Sequence, residues 1–127
     1  MSTPTTDPAP DRTQTVYKIA QADAWDEAEQ AGVFGGAPVD LADGFIHFST
    51  AAQLRATAAK HFAGQSALVL AAIDGAALDA MGDVYRYEPS RGGDLFPHLY
   101  APLPMDAVLW SEVLPWDGEA HRFPRGL

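Results

Sequence analysis

Ala67-Leu68-Val69-Leu70-Ala71-Ala72-Ile73 is an unbroken apolar run, closed by Gly64 on one side and Asp74-Gly75 on the other. It is far short of the ~20 residues a membrane span needs. Nor does it alternate with polar residues as a half-wetted strand would. It predicts a central buried strand, around which the other elements must form one core. The chain has 127 residues, which suits a single domain that buries roughly two thirds of its unfolded surface without staples.

The flanking segments read as shorter elements. Val16-Tyr17-Lys18-Ile19 is β-like. Asp23 stands where an N-cap would start a helix ending at Ala31, with Gly32 as its stop and Trp25 and Ala28 as its inner face. Gly35, Gly36 and Pro38 predict a loop, and Phe45 to Ser49 a strand leaving the turn Asp43-Gly44. Thr50 and Gln53 have capping-box spacing at the head of a second helix, 51–62, with Ala51, Leu54, Ala58, His61 and Phe62 on one stripe. Residues 76–81 suit a short helical turn, and Val84–Glu88 and Ala107–Val113 suit strands. Phe96–Leu103 is extended but carries Pro97 and Pro102, which predicts an edge or pocket wall and not a sheet centre. Consecutive strands without a β-α-β rhythm predict an α+β fold with a curved, mostly antiparallel or split sheet. The expected organisation is a disordered tail over 1–14, one α+β domain over 15–116, and a C-terminal tail over 117–127.

Composition narrows the partners. Eight Lys and Arg against seventeen Asp and Glu give a net charge of −9, a surface that repels long nucleic acid. A small-molecule or nucleotide ligand remains compatible with a local positive patch. The first residues lack a basic start followed by an apolar stretch, so no signal peptide is read and a cytoplasmic location is expected. The absence of cysteine removes disulfides, thiolate metal sites and a cysteine nucleophile. No His-x-x-x-His or carboxylate cluster stands at ligand spacing, and no metal is expected.

Two segments concentrate the chemistry. In Asp43-Gly44-Phe45-Ile46-His47-Phe48-Ser49-Thr50, strand alternation puts Phe45, His47 and Ser49 on one side. That places an imidazole and a hydroxyl ~7 Å apart. In Phe96-Pro97-His98-Leu99-Tyr100, Phe96, His98 and Tyr100 share a side that can stack a flat ring and bond its rim. Structural roles stay open for each: His47 as a buried histidine bonded to a carbonyl, Ser49 as a helix cap, Tyr100 as a core aromatic. Arg91, in Ser90-Arg91-Gly92-Gly93, offers a planar fork for an anion, or is a surface arginine. Glu88 precedes that loop as a candidate general base, an orienting group, or a solvated charge. His61 and His121 read as bystanders.

The two motifs, with Tyr17-Lys18-Ile19, Trp25, Ala37-Pro38-Val39-Asp40 and Glu88-Pro89-Ser90-Arg91-Gly92-Gly93 in order around them, are similar to the hallmarks of the bacterial domain of unknown function family 952 over about residues 15–116. That family in turn resembles the ADP-ribosyltransferase superfamily near RNA 2′-phosphotransferase. The resemblance implies a curved split sheet with two main helices and a cleft for NAD or a related nucleotide. By that carry-over His47, Ser49, His98 and Tyr100 face the cleft. The expected site then has His47, His98 and Glu88 as catalytic residues and Lys18, Ser49, Arg91 and Tyr100 as ligand contacts. A non-catalytic ligand-binding or protein-interaction module on the same fold is the alternative. Lys18 stands where the phosphotransferases carry a first-strand histidine, and Ala101 where the second motif is expected to carry glycine.

Overall fold

The computed structural model describes residues 9–90 and 93–127. In chain order it contains β1 (Val16–Gln21), α1 (Ala22–Ala31), β2 (Val33–Phe34), α2 (Pro38–Asp43), β3 (Ile46–His47), β4 (Ser49–Thr50), α3 (Ala51–His61), β5 (Leu68–Ile73), α4 (Gly75–Asp79), β6 (Tyr85–Pro89), β7 (Leu95–Leu99), β8 (Leu103–Pro104) and β9 (Val108–Val113). The strands form sheets of order β4-β1-β5-β9, β3-β7-β6 and β2-β8, paired antiparallel throughout. The fold is therefore mixed α+β with several antiparallel sheets. Among the described residues, no helix is long and apolar enough to cross a membrane.

The apolar run forms β5, an inner strand between β1 and β9. Its uninterrupted apolarity has a cause in the packing. Ala71 and Ile73 join Val16 and Ala20 of β1 in one cluster with Trp25, Ala28, Ile46, Tyr85 and Leu99. Leu68, Leu70 and Ala72 join Tyr17 and Ile19 in a second cluster on the opposite face, with Leu54 and Ala58 of α3 and Leu114. A strand covered on both faces has no wet side to mark with polar residues. Phe123 and Leu127, within 117–127, pack against the second cluster, and His121 Nε2 donates to the Gln65 carbonyl (2.9 Å). At the other end, Arg12 pairs with Asp79 (2.6 Å), and the Gln14 backbone runs tight against Gly75.

Local signals place several ends as expected. Gly32 ends α1 in the left-handed region (φ 82°), its N–H bonding the Ala28 carbonyl. Thr50 N–H donates to the Gln53 side chain (3.0 Å) at the head of α3. Other features depart from the sequence reading. Gln21, not Asp23, is the N-cap of α1; Asp23 accepts from Ala24 N–H inside the first turn. Ala51 and His61 of the α3 stripe are exposed. Gly35 and Gly36 lie in a loop as expected, but Pro38 is already the first residue of α2, a position where proline needs no N–H partner. The single strand expected over 45–49 is broken at Phe48, so that β3 belongs to one sheet and β4 to the other.

Pro97 is also displaced from its expected place. β7 is the middle strand of its sheet, not an edge. The Pro97 carbonyl accepts from Phe48 N–H (3.0 Å). In an antiparallel strand a residue's N–H and carbonyl point to the same side, so the donor proline lacks would face β3 just where that strand turns away. The β6 side loses no hydrogen bond.

Candidate functional site

The β3-β7-β6 sheet has one apolar and one titratable face. Ile46, Leu99 and Tyr85 lie opposite one another and point into the core. By strand alternation the next residues, His47, His98 and Arg86, point the other way. His47 and His98 are direct cross-strand partners. Their rings stand 5.4 Å apart, edge to face at 72°. The two sequence motifs thus converge on one surface, joined by Phe45, Glu88 and Tyr100.

His98 is 5% exposed. Its Nδ1 lies 2.9 Å from Glu88 Oε1, and the Tyr100 hydroxyl donates to the same oxygen (2.7 Å). The Phe45 ring stacks on the imidazole at 4.1 Å and 28°. Burial pushes the His98 pKa down, and the nearby His47 adds to that, while Glu88 pulls the other way. The Tyr100 hydrogen bond, helped by His98, holds the Glu88 carboxyl below its usual value against desolvation. The same bond raises the Tyr100 phenol. A Glu88 carboxylate can only accept, so a neutral His98 donates from Nδ1 and carries its lone pair on Nε2. That is the arrangement of an oriented general base. The Arg86 guanidinium lies 4.6 Å over the Tyr100 ring, with its Nε anchored on the Asp83 carbonyl (2.9 Å).

His47 is held by a second, deeper network. Asp40 is 2% exposed. Its Oδ2 accepts from Lys18 Nζ (2.9 Å) and from Ala37 N–H (2.7 Å). Its Oδ1 receives the His47 N–H (3.1 Å), lies 2.6 Å from His47 Nδ1, and takes a longer contact from Lys18. Desolvation is the largest single influence on Asp40 and opposes its charge. The His47 bond, the Lys18 charge and the Ala37 N–H together outweigh it and bring the carboxyl down to about 2. Burial lowers the Lys18 pKa, and Asp40 counters that. Lys18 also donates to the His47 carbonyl (2.9 Å). The other ring nitrogen, Nε2, meets Asp43 Oδ2 at 2.8 Å.

Lys18 therefore sits beneath the site and reaches a ligand only through His47. Ser49 exchanges a hydrogen bond with Thr57 of α3 (2.8 Å), and its backbone pairs with β1, away from the histidine sheet. Arg91 lies outside the described residues. Asp40, Asp43, Phe45 and Arg86 escaped the sequence reading as site residues. One signal was present for Asp40: a proline two residues ahead marks a helix start, and an acid at the third helical position reaches back to the N-cap N–H. A cleft of about 220 Å³ opens between Gly44-Phe45 and Tyr100-Ala101-Pro102, and neither histidine lines it. Among the described residues no group of three or more His, Asp or Glu side chains could hold a metal ion.

Comparison with solved structures finds relatives of this architecture. The crystal structure of protein CC0527 from Caulobacter crescentus matches with a TM-score of 0.79 and 43% identity, covering 86% of this chain and 94% of that one. A double mutant of the same protein gives the same values. Its solution NMR structure matches with a TM-score of 0.74 and 44% identity, over 84% of this chain and 90% of that one. No curated protein matches the chain. Residues 19–111, which carry both histidine motifs and Asp40, match the family described as "Protein of unknown function (DUF952)", and the chain belongs to that family.

Proposed function

We propose that the protein is an enzyme of the ADP-ribosyltransferase-like class, binding NAD or a related small nucleotide at the His47–His98 face. The observation that carries this reading is the pairing of the two imidazoles across β3 and β7, with Glu88 seated on His98. The break at Phe48, which shares one run between two sheets, is in keeping with a split-sheet fold. Phe45 and Tyr100 supply flat surfaces for a ring. Transfer of a ribosyl group passes through an oxocarbenium-like sugar, which needs positioning and a nearby negative charge more than a strong nucleophile. Glu88 supplies the charge, and His98 Nε2 takes the proton of the acceptor hydroxyl as the new C–O bond forms and the nitrogenous leaving group departs.

A second reading has its own support. Lys18, both nitrogens of His47 and the Ser49 hydroxyl are all engaged by internal partners. That pattern suits a non-catalytic ligand-binding or interaction module.

Thermal unfolding with NAD, ADP-ribose, nicotinamide and mononucleotides, on the natural chain and on His98→Asn, separates them. A ligand at 100 times its Kd adds about 2.7 kcal/mol, or roughly 10 °C in a domain of this size. A shift of that kind, lost in His98→Asn and followed by nicotinamide release, is the expected result. No shift with any of these compounds would leave the module reading in place.

A further inference from the structure

His47 is gripped by two carboxylates of very different character. The Asp40 arm is short (2.6 Å) and its carboxylate side chain is 1% exposed. It is also fixed by Lys18 and Ala37 N–H. The Asp43 arm is 2.8 Å long, and its carboxylate is 47% exposed. No other hydrogen bond anchors Asp43 among those described, and it stands at the last position of α2, before Gly44. Rotation about its own side chain frees His47 Nε2 without moving the backbone. An imidazole donates from both nitrogens only in its cationic form. With Asp40 on Nδ1 and Asp43 on Nε2, both ring nitrogens face a carboxylate oxygen, so an anion taking the place of Asp43 would accept from the Nε2 side. Exposed ion pairs contribute little, so this outer partner is exchangeable and the inner one is not.

We infer that His47 Nε2 is a seat for a ligand oxyanion, and that Asp43 occupies it as an internal stand-in until the ligand displaces it. The seat lies beside Phe45 (ring centroids 4.6 Å) and His98, so an anion bound there is adjacent to the proposed base. This deepens the nucleotide reading and rests on it: the anion is a phosphoryl oxygen of the ligand. It would let a chain of net charge −9 hold an anion, since the displaced Asp43 charge swings out into solvent.

The test is an imidazole ¹H–¹⁵N titration at neutral pH with inorganic phosphate, run on the natural chain, Asp43→Asn and Asp43→Glu. Acetate forms a separate arm, and potassium chloride controls ionic strength. Phosphate is expected to move the His47 Nε2 signal. Binding should be about fivefold tighter in Asp43→Asn, which loses the competing charge, and stay near the natural value in Asp43→Glu, which keeps it. Equal phosphate affinity in the natural chain and Asp43→Asn, or no movement of His47 in either, overturns the proposal. An equal response to acetate keeps the oxyanion seat and removes its preference for phosphate. The two readings fail separately. If phosphate behaves as expected but no nucleotide stabilises the fold, the seat stands and the transferase reading falls. If NAD stabilises through His98 while Asp43→Asn changes nothing, the reverse holds.

Discussion

The Asp40 carboxylate makes five hydrogen-bond contacts with three parts of the chain: β1, the start of α2, and β3. Removing one partner of such a buried pair leaves the other charge uncompensated. Asp40→Asn is expected to cost about 3–5 kcal/mol in urea unfolding, with Lys18→Met in a similar range. The double variant should cost clearly less than the sum, because neither charge is then stranded. Additive losses would show that the two residues act independently. Nothing in the sequence pointed to this pair. Lys18 and Asp40 are 22 positions apart, and on β1 alone Lys18 reads as a strand lysine free to meet a ligand. Alternation along β1 puts it on the face of Val16 and Ala20, but only packing reveals that this face is buried.

At the level of elements, the clear signals were those set by short-range sterics. Gly32 stopped α1 and the Thr50–Gln53 pair opened α3, because each depends on neighbours a turn away. The break at Phe48 and the central position of β7 depend on which strand lies alongside, and nothing local encodes that. Gly75 at the head of α4 makes a related point. A Cβ built there would stand 1.8 Å from the Gln14 carbonyl oxygen, a backbone atom that cannot swing aside. Gly75→Ala is therefore expected to lift residues 9–14 off α4 and to cost roughly 1–3 kcal/mol. Faster amide exchange at Ala76 and loss of the Arg12–Asp79 contact would register it. An unchanged exchange pattern would mean the segment is not seated there.

For the molecule as a whole, stability should fall in two stages as the solution is acidified. His98 has a folded pKa below the ordinary 6.5. Its contribution is complete above that value and lost as pH falls through the folded one. Asp40 and Glu88 follow together: Glu88, held below the ordinary 4.5, loses its contribution as pH falls through its folded value, and Asp40 contributes about 2 kcal/mol above the ordinary 3.8, lost as pH drops toward 2. Urea midpoints from pH 7 to pH 2 should show both steps, and His98→Asn should abolish the first alone. A single step near pH 4 in the natural chain would contradict the assignment to His98. At this scale the sequence was most informative about class: α+β, antiparallel, built around β5. It was least informative about which polar groups face each other, since the histidine pair spans two motifs and two strands.

The network at the base of the site also has a consequence for how the chain can change over generations. Positions 18, 40 and 47 hold one another in place, so a replacement at any one of them alone lowers fitness through stability before it touches any reaction. Drift at these positions is expected to occur in concert, with charge pairs lost or regained together among relatives. Position 43, whose side chain among the described residues meets His47 alone, is free to vary by itself. Diversity of ligand preference within the family should then accumulate at the outer arm while the inner arm stays fixed.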